Sequence, residues 1–298
     1  MLFSENPADR DRIYLDLVAS KVRICKAYLP KFGQGQPVSL EQFKRLYGED
    51  RFYAWFGLDN PMMYAAHKAA GGITSLYRQI GIGCEYLFRQ VVRDQLNLTA
   101  EQASWSYKIP TVGGRRKERV LSLDGRIQFD DIQTSGRIEQ FTAWMDAAGE
   151  KLQIDPVIRE SLKGAVFEVR QGYKSKDSKR QNADLGNAGT AYKNAYLPVV
   201  AVLSSQIDGD IALRYEQAGW LLLRGTSQAS TVQSIYAFCV DVLGYDLAGF
   251  FERNTETLKA TVDDVLQALL SPETPKDNAA LAELEAEQSE NPSGEEDL

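Results

Sequence analysis

The sequence is short of histidine, cysteine and long apolar runs, and each shortage excludes a class of protein. The single histidine, His67, rules out metal sites built from several imidazoles, and packing is its simplest role. The three cysteines, Cys25, Cys84 and Cys239, are odd in number and far apart, which indicates buried thiols rather than disulfides or a zinc knuckle. The apolar runs are too short to span a bilayer and the opening residues do not resemble a signal peptide, so we expect a cytoplasmic protein that does not bind membranes.

The chain as a whole also lacks a positive net charge, but its acidity is concentrated at one end. The formal net charge is −7, and residues 271–298 contain nine acidic residues and one lysine, a net of −8. Subtracting −8 from −7 leaves residues 1–270 at +1. We interpret 271–298 as a solvated and largely disordered tail, with a helix from Asn278 to Gln288.

Hydrophobic periodicity predicts an α/β protein. Apolar residues recur at intervals of three and four, which is typical of amphipathic helices, over 8–29, 73–95 and 136–152. Period-two patterns and apolar runs predict strands over 105–109, 119–129, 165–174 and 197–206, with a crossover helix over 182–196. This order predicts a mixed central sheet flanked by helices, preceded by an N-terminal helical region.

Two of these strands carry side chains suited to metal chemistry. Residues two apart on a strand share a face, so the strand over 165–174 aligns Glu168, Arg170, Gly172 and Lys174. A carboxylate and cations on one face suit a cleft better than a core. Asp124 stands where the earlier strand turns at Gly125 and can meet Glu168 from an adjacent strand. Carboxylate oxygens hold Mg²⁺, which neutralises charge and activates water in phosphodiester hydrolysis.

Two basic segments accompany these strands. The turn GGRRKER at 113–119 joins two predicted strands, and KSKDSKR at 174–180 follows the strand that carries Glu168. Segments of this charge can contact the phosphates of double-stranded DNA, although a solvated hairpin tip explains the first equally well. The candidate DNA-binding residues are Arg115, Arg116, Lys117, Lys176, Lys179 and Arg180.

The order of elements resembles the PD-(D/E)xK nuclease superfamily over roughly residues 73–225. The stretches YRQIGIGCEYLFRQ, SLDGRI and EVRQGYKSKDSKRQNAD are similar to those of type II restriction endonuclease subunits. The resemblance implies a restriction-endonuclease-like fold, with Asp124 and Glu168 as Mg²⁺ ligands and Glu85 as a further acidic ligand or a residue behind the ligands. The chain departs from the superfamily pattern at Arg170, where lysine is expected, and in the helix between Asp124 and Glu168. A guanidinium stays charged near neutral pH, so Arg170 can stabilise charge on the phosphate but cannot donate or accept a proton. Lys174, on the same face of the strand, is therefore the candidate for the displaced catalytic lysine, with Arg170 as its competitor.

The residues and the resemblance together predict a site-specific, Mg²⁺-dependent DNA endonuclease of the restriction type. We expect double-stranded DNA as its partner and a homodimer, or a heterodimer with a related subunit. The predicted regions are 1–65 for DNA recognition or dimerisation, 66–270 for the nuclease core and 271–298 for the acidic tail. Two alternatives are a non-cleaving DNA-recognition subunit of a restriction complex, favoured by Arg170, and a DNA repair or mobile-element nuclease.

Overall fold

The computed structural model describes residues 7–110, 118–172, 178–273 and 278–290. The helices are α1 (Pro7–Ile24), α2 (Leu40–Glu49), α3 (Arg51–Trp55), α4 (Pro61–Leu96), α5 (Ser135–Lys151), α6 (Pro156–Ser161), α7 (Ser178–Lys193), α8 (Gly209–Gln217), α9 (Ile235–Ala237), α10 (Leu247–Arg253), α11 (Thr255–Leu270) and α12 (Asn278–Glu290). The strands are β1 (Trp105–Pro110), β2 (Glu118–Leu123), β3 (Gly125–Gln128), β4 (Gly164–Arg170), β5 (Tyr196–Val202) and β6 (Leu221–Leu223). Among the helices in these ranges, none is both long enough and apolar enough to cross a membrane.

A mixed sheet of four strands, in the order β3-β4-β5-β6, organises the middle of the chain. β3 runs antiparallel to β4, whereas β4, β5 and β6 are parallel to one another. Parallel neighbours need a crossover connection, which α7 supplies between β4 and β5 and α8 supplies between β5 and β6. All seven residues of β5 are buried, as a strand covered on both faces requires. The predicted α/β plan with a mixed sheet is confirmed.

The two faces of this sheet pack against different layers. On one face, Val166, Val200 and Leu222 share an apolar core with side chains from α7, α8, β1 and β2. On the other face, the ring of Phe167 lies 5.2 Å from that of Phe88 and 5.5 Å from that of Phe238. Because side chains alternate along β4, Glu168 shares the face of Val166 rather than that of Phe167.

Asp124 lies where the structure departs from the single strand predicted over 119–129. β2 pairs with β1 in a separate two-stranded antiparallel sheet, and β3 joins the four-stranded sheet, with Asp124 at the bend between them. The main-chain N–H of Asp124 donates to the carbonyl of Phe167 at 2.8 Å. A Cβ atom on Gly125 would lie 3.3 Å from the Phe88 ring, so a glycine allows this close passage beneath α4. The chain therefore changes sheets one residue before the predicted kink.

The chain forms two compact units, residues 84–252 (the central unit) and residues 1–83 with 253–298 (the terminal unit). These bounds differ from the predicted regions 1–65, 66–270 and 271–298. In the terminal unit, α1 and α11 share an apolar core that includes Val22 and Leu269. A Cβ atom on Gly72 of α4 would lie 2.4 Å from Cδ2 of Leu269, so this glycine permits close helix packing. The C-terminal segment thus belongs with the N-terminal helices.

The acidic tail contains the predicted helix, now bounded as Asn278–Glu290. Helix α12 packs against α1 and the 3₁₀ turn Cys25–Ala27. Leu284 is only 2% exposed, and Oε1 of Glu283 lies 2.8 Å from Nζ of Lys21. Over these residues the tail is therefore a docked helix and not a solvated coil, whereas 274–277 and 291–298 lie outside the described residues.

Candidate active site

The candidate site lies at the C-terminal end of β4, in the central unit. Glu168 and Arg170 are two residues apart and share a face of the strand, as the period-two pattern predicts. In the parallel pairing with β5, Glu168 stands opposite Val200 and Arg170 stands opposite Val202. Glu168 is 6% exposed, and a carboxylate this deeply buried requires polar partners.

Asp124 reaches the same strand end from the bend between β2 and β3. The antiparallel register pairs Gly125 with Phe167, and its continuation by one residue sets Asp124 beside Glu168. Oδ2 of Asp124 accepts a hydrogen bond of 2.7 Å from the N–H of Val169, which is part of the peptide that follows Glu168. The structure thus brings the two predicted acids, 44 positions apart in the sequence, to one place.

Arg170 connects the acidic residues of the site. Its Nη2 forms an ion pair with Oε1 of Glu168, and its Nη1 lies 3.9 Å from Oε1 of Glu85 on α4. The side chains of Arg170, Glu168 and Glu85 are 11%, 7% and 19% exposed, so this contact is largely shielded from water. Low exposure strengthens the attraction between the charges, and it also makes the loss of one partner costly.

Arg89, which the sequence interpretation did not single out, holds Asp124 in place. Its Nε donates a 2.6 Å hydrogen bond to the main-chain carbonyl of Asp124. Arg89 stands four residues after Glu85 on α4, a spacing that places the two on the same side of the helix. This spacing could have predicted Arg89 as a residue of the site, because the face of α4 that carries Glu85 also carries Arg89.

The donors fit Mg²⁺ in chemical type but do not form a complete protein cage. Mg²⁺ takes hard oxygen ligands and is often bound by one or two carboxylates, with water and substrate phosphates completing the shell. Asp124 and Glu168 supply such carboxylates. Within the described part of the chain, no group of three or more His, Cys, Asp or Glu side chains is arranged to hold a metal ion. Glu85 lies near the guanidinium of Arg170, as Glu168 does, and its part in metal binding stays a prediction.

Several predicted residues cannot be compared with this geometry. Lys174, Lys176, Arg115, Arg116 and Lys117 lie outside the described residues. Lys179 and Arg180 belong to the first turn of α7, the helix that crosses from β4 to β5. The choice between Lys174 and Arg170 as the catalytic cation therefore stays open, with Arg170 in contact with Glu168.

The remaining residues weighed in the sequence have packing roles. The ring of His67 meets that of Phe32 edge-on, with centroids 4.9 Å apart, inside the terminal unit. The three cysteines are free thiols and buried, as predicted. Burial, with a smaller contribution from the adjacent Glu85 carboxylate, raises the pKa of Cys84 to about 12. This thiol is therefore protonated at neutral pH and is a poor nucleophile.

Comparison of the chain with protein-family models, with curated proteins and with solved structures yields no match.

Proposed function

We propose that the protein is a Mg²⁺-dependent DNA endonuclease of the restriction type, with its active site at the end of β4. The observation that carries the proposal is the meeting of Asp124 with the Glu168–Val169 peptide, beside a guanidinium paired to Glu168. Two strand-end carboxylates and a cation are the groups that hydrolysis of a phosphodiester needs. The same groups carry the resemblance to the PD-(D/E)xK superfamily and to its restriction-endonuclease-like fold.

Asp124 and Glu168 would hold the metal through their carboxylate oxygens. When bound, Mg²⁺ polarises a phosphate oxygen and lowers the pKa of coordinated water. Asp124 is held for this task from two directions, since Arg89 binds its carbonyl and the N–H of Val169 binds its carboxylate. Fixed ligands of this kind reduce the reorganisation needed at the moment of reaction.

Arg170 would stabilise negative charge that develops on the phosphate. A guanidinium carries several N–H donors in a planar fork, so it can hydrogen-bond a phosphate oxygen while it still contacts Glu168. It cannot act as a general acid or base near neutral pH, because it keeps its proton. If a proton donor is required, Lys174 is the candidate that the sequence offers.

A non-cleaving DNA-recognition subunit is the second candidate, and the Glu168–Arg170 ion pair favours it. In this pair the permanent charge of Arg170 already compensates Glu168, and Arg170 also lies near Glu85. An ion pair of this kind can have the purely structural role of holding the end of β4 in place. This candidate predicts sequence-selective DNA binding without strand cleavage in the presence of Mg²⁺.

A plasmid cleavage assay tests the proposal. Supercoiled DNA should be cut in Mg²⁺ and left intact in EDTA. Asp124→Asn and Glu168→Gln should each slow cleavage at least about 100-fold, because each removes charge that would hold the metal. Asp131→Asn is the matched control, since Asp131 also lies in the central unit and pairs with Arg126 at 3.3 Å, and it should cut normally.

The other outcomes distinguish the alternatives. Normal cleavage by both Asp124→Asn and Glu168→Gln would remove these residues from the mechanism. Selective binding of DNA by the wild-type protein without cleavage would instead identify a recognition subunit. Cleavage ends that map to DNA structure rather than to one sequence would indicate a repair or mobile-element nuclease.

A further inference from the structure

Four aromatic residues on and just after α3 expose their rings on the terminal unit. Phe52 is 59% exposed, Tyr53 39%, Trp55 78% and Phe56 68%. We propose that this surface, the aromatic platform, docks against the same surface of a second copy of the chain. The inference does not depend on the chemistry at Asp124 and Glu168.

Ring stacking and a helix cap support the aromatic platform. Tyr53 stacks on Tyr47 with ring centroids 4.9 Å apart, and Tyr47 packs against the fully buried Phe43 at 4.4 Å. The side chain of Asp50 caps α3 by accepting hydrogen bonds from the N–H groups of Phe52 and Tyr53 at 2.9 and 3.3 Å. The start of α3 and the ring of Tyr53 are thus ordered before a partner arrives, which lowers the entropic cost of association.

The exposed area approaches what one side of a dimer needs. At roughly 200 Å² for each large aromatic side chain, the exposed fractions correspond to roughly 500 Å² of aromatic surface. Leu46 and Met62, 38% and 77% exposed, are further exposed apolar side chains on α2 and α4. A stable interface buries about 800 Å² on each partner, and exposed apolar patches above a few hundred Å² mark interaction sites. Aromatic residues and methionine are also the types enriched in such interfaces.

The charges around the platform favour a second copy over DNA. Residues 40–62 contain three basic residues, Lys44, Arg45 and Arg51, and four acidic ones, Glu41, Glu49, Asp50 and Asp59, a net of −1. A DNA-binding surface needs an excess of positive charge, which this surface lacks. Mixed signs on one surface allow basic groups of one copy to meet acidic groups of the other when two identical surfaces face each other about a two-fold axis.

Sedimentation equilibrium of the full chain tests the inference. The wild-type protein should be a dimer that dissociates on dilution. The double substitution Trp55→Ser with Phe56→Ser should weaken self-association at least about 30-fold, since it removes the two most exposed rings of the platform. Phe52→Ser is an independent second variant and should also raise the dissociation constant. Val157→Ser, at a residue 75% exposed in the central unit, is the matched control and should associate like the wild type.

Three outcomes would overturn the inference. A wild-type protein that stays monomeric at high concentration has no such interface. A dimer with an unchanged dissociation constant in both platform variants uses another surface. Weaker DNA binding by the variants without any change in mass would make nucleic acid the occupant. Circular dichroism of each variant checks that it is folded, which is expected because the substituted rings face solvent.

Discussion

The end of β4 in the central unit and the aromatic platform in the terminal unit depart in opposite ways from the usual distribution of side chains. At the end of β4, charged groups are buried, with Glu168 and Arg170 only 7% and 11% exposed. On the platform, large aromatic rings face water, with Trp55 78% exposed. Each departure costs free energy, which natural proteins accept mainly where function requires it.

The two regions differ in what relieves that cost. The buried charges contact each other and main-chain groups inside one chain, so part of their cost is offset without a partner. The exposed rings have core contacts below them but leave most of their surface to solvent. Substitutions at the end of β4 should therefore change folding stability strongly, whereas substitutions on the platform should change association.

The largest expected effect is on the ion pair at the end of β4. Glu168→Leu alone or Arg170→Leu alone should lower the free energy of unfolding by about 3 kcal/mol, because each leaves a shielded charge without its partner. The double variant should lose less than the sum of the two single losses, since that sum counts the interaction between the two charges twice. Urea unfolding of the three variants measures this coupling, and strictly additive losses would show that the pair contributes none.

Arg89 should have the next largest effect. Arg89→Met removes the hydrogen bond to the carbonyl of Asp124 and should cost about 1.5–3 kcal/mol, the range for hydrogen bonds to charged groups. Arg89→Lys should recover part of this loss. Urea unfolding of both variants tests whether Arg89→Met loses more stability than Arg89→Lys. The control is Arg23→Met, which removes an exposed ion pair with Asp16 and should lose less.

The buried thiols should make the free energy of unfolding fall at alkaline pH, because burial disfavours their ionised form in the folded chain. Burial raises the pKa of Cys84 from 9.0 to about 12 and also raises that of Cys239. Below pH 9 both thiols are protonated in the folded and the unfolded chain, so their contribution is constant. Between pH 9 and pH 12 mainly the unfolded chain ionises, and at pH 10 each thiol should cost about 1.4 kcal/mol. Urea unfolding at pH 8 and pH 10 measures the fall, which Cys84→Ala should reduce.

Trp55→Ser should have the smallest effect on folding. The ring is mostly exposed, so the substitution should change the free energy of unfolding by less than about 0.5 kcal/mol. The measurement belongs at a protein concentration low enough to dissociate a dimer, because association stabilises the folded state by mass action. A large loss under these conditions would mean that the platform supports the fold of its own unit.

The main elements of the fold could be predicted because periodicity reports burial. The strands around Glu168 and Val200 follow from their alternating and fully apolar patterns. Helix α4 was predicted to begin at residue 73, after the Gly71–Gly72 pair, whereas it begins at Pro61. Glycine disfavours an isolated helix, but here a close contact with Leu269 requires it, and tertiary packing of that kind leaves no local signal.

The site could be predicted in part, since strand alternation places Glu168 and Arg170 on one face. The proximity of Asp124 followed from its position at a turn beside the next strand. The ion pair of Arg170 with Glu168 and the hydrogen bond from Arg89 depend on how α4 lies against the sheet, which no short stretch of sequence encodes. The metal, the DNA contacts and the catalytic role of Lys174 stay predictions.

Helix α12 makes the acidic end of the chain a structural part of the protein. Its Leu284 fills a space beside the N-terminal helices and its Glu283 neutralises Lys21. Truncating the protein after residue 270 would expose the apolar surface that Leu284 covers. It would also remove the Glu283 carboxylate that pairs with Lys21. Such a version should aggregate more readily in solution than the full chain, because it exposes this apolar surface.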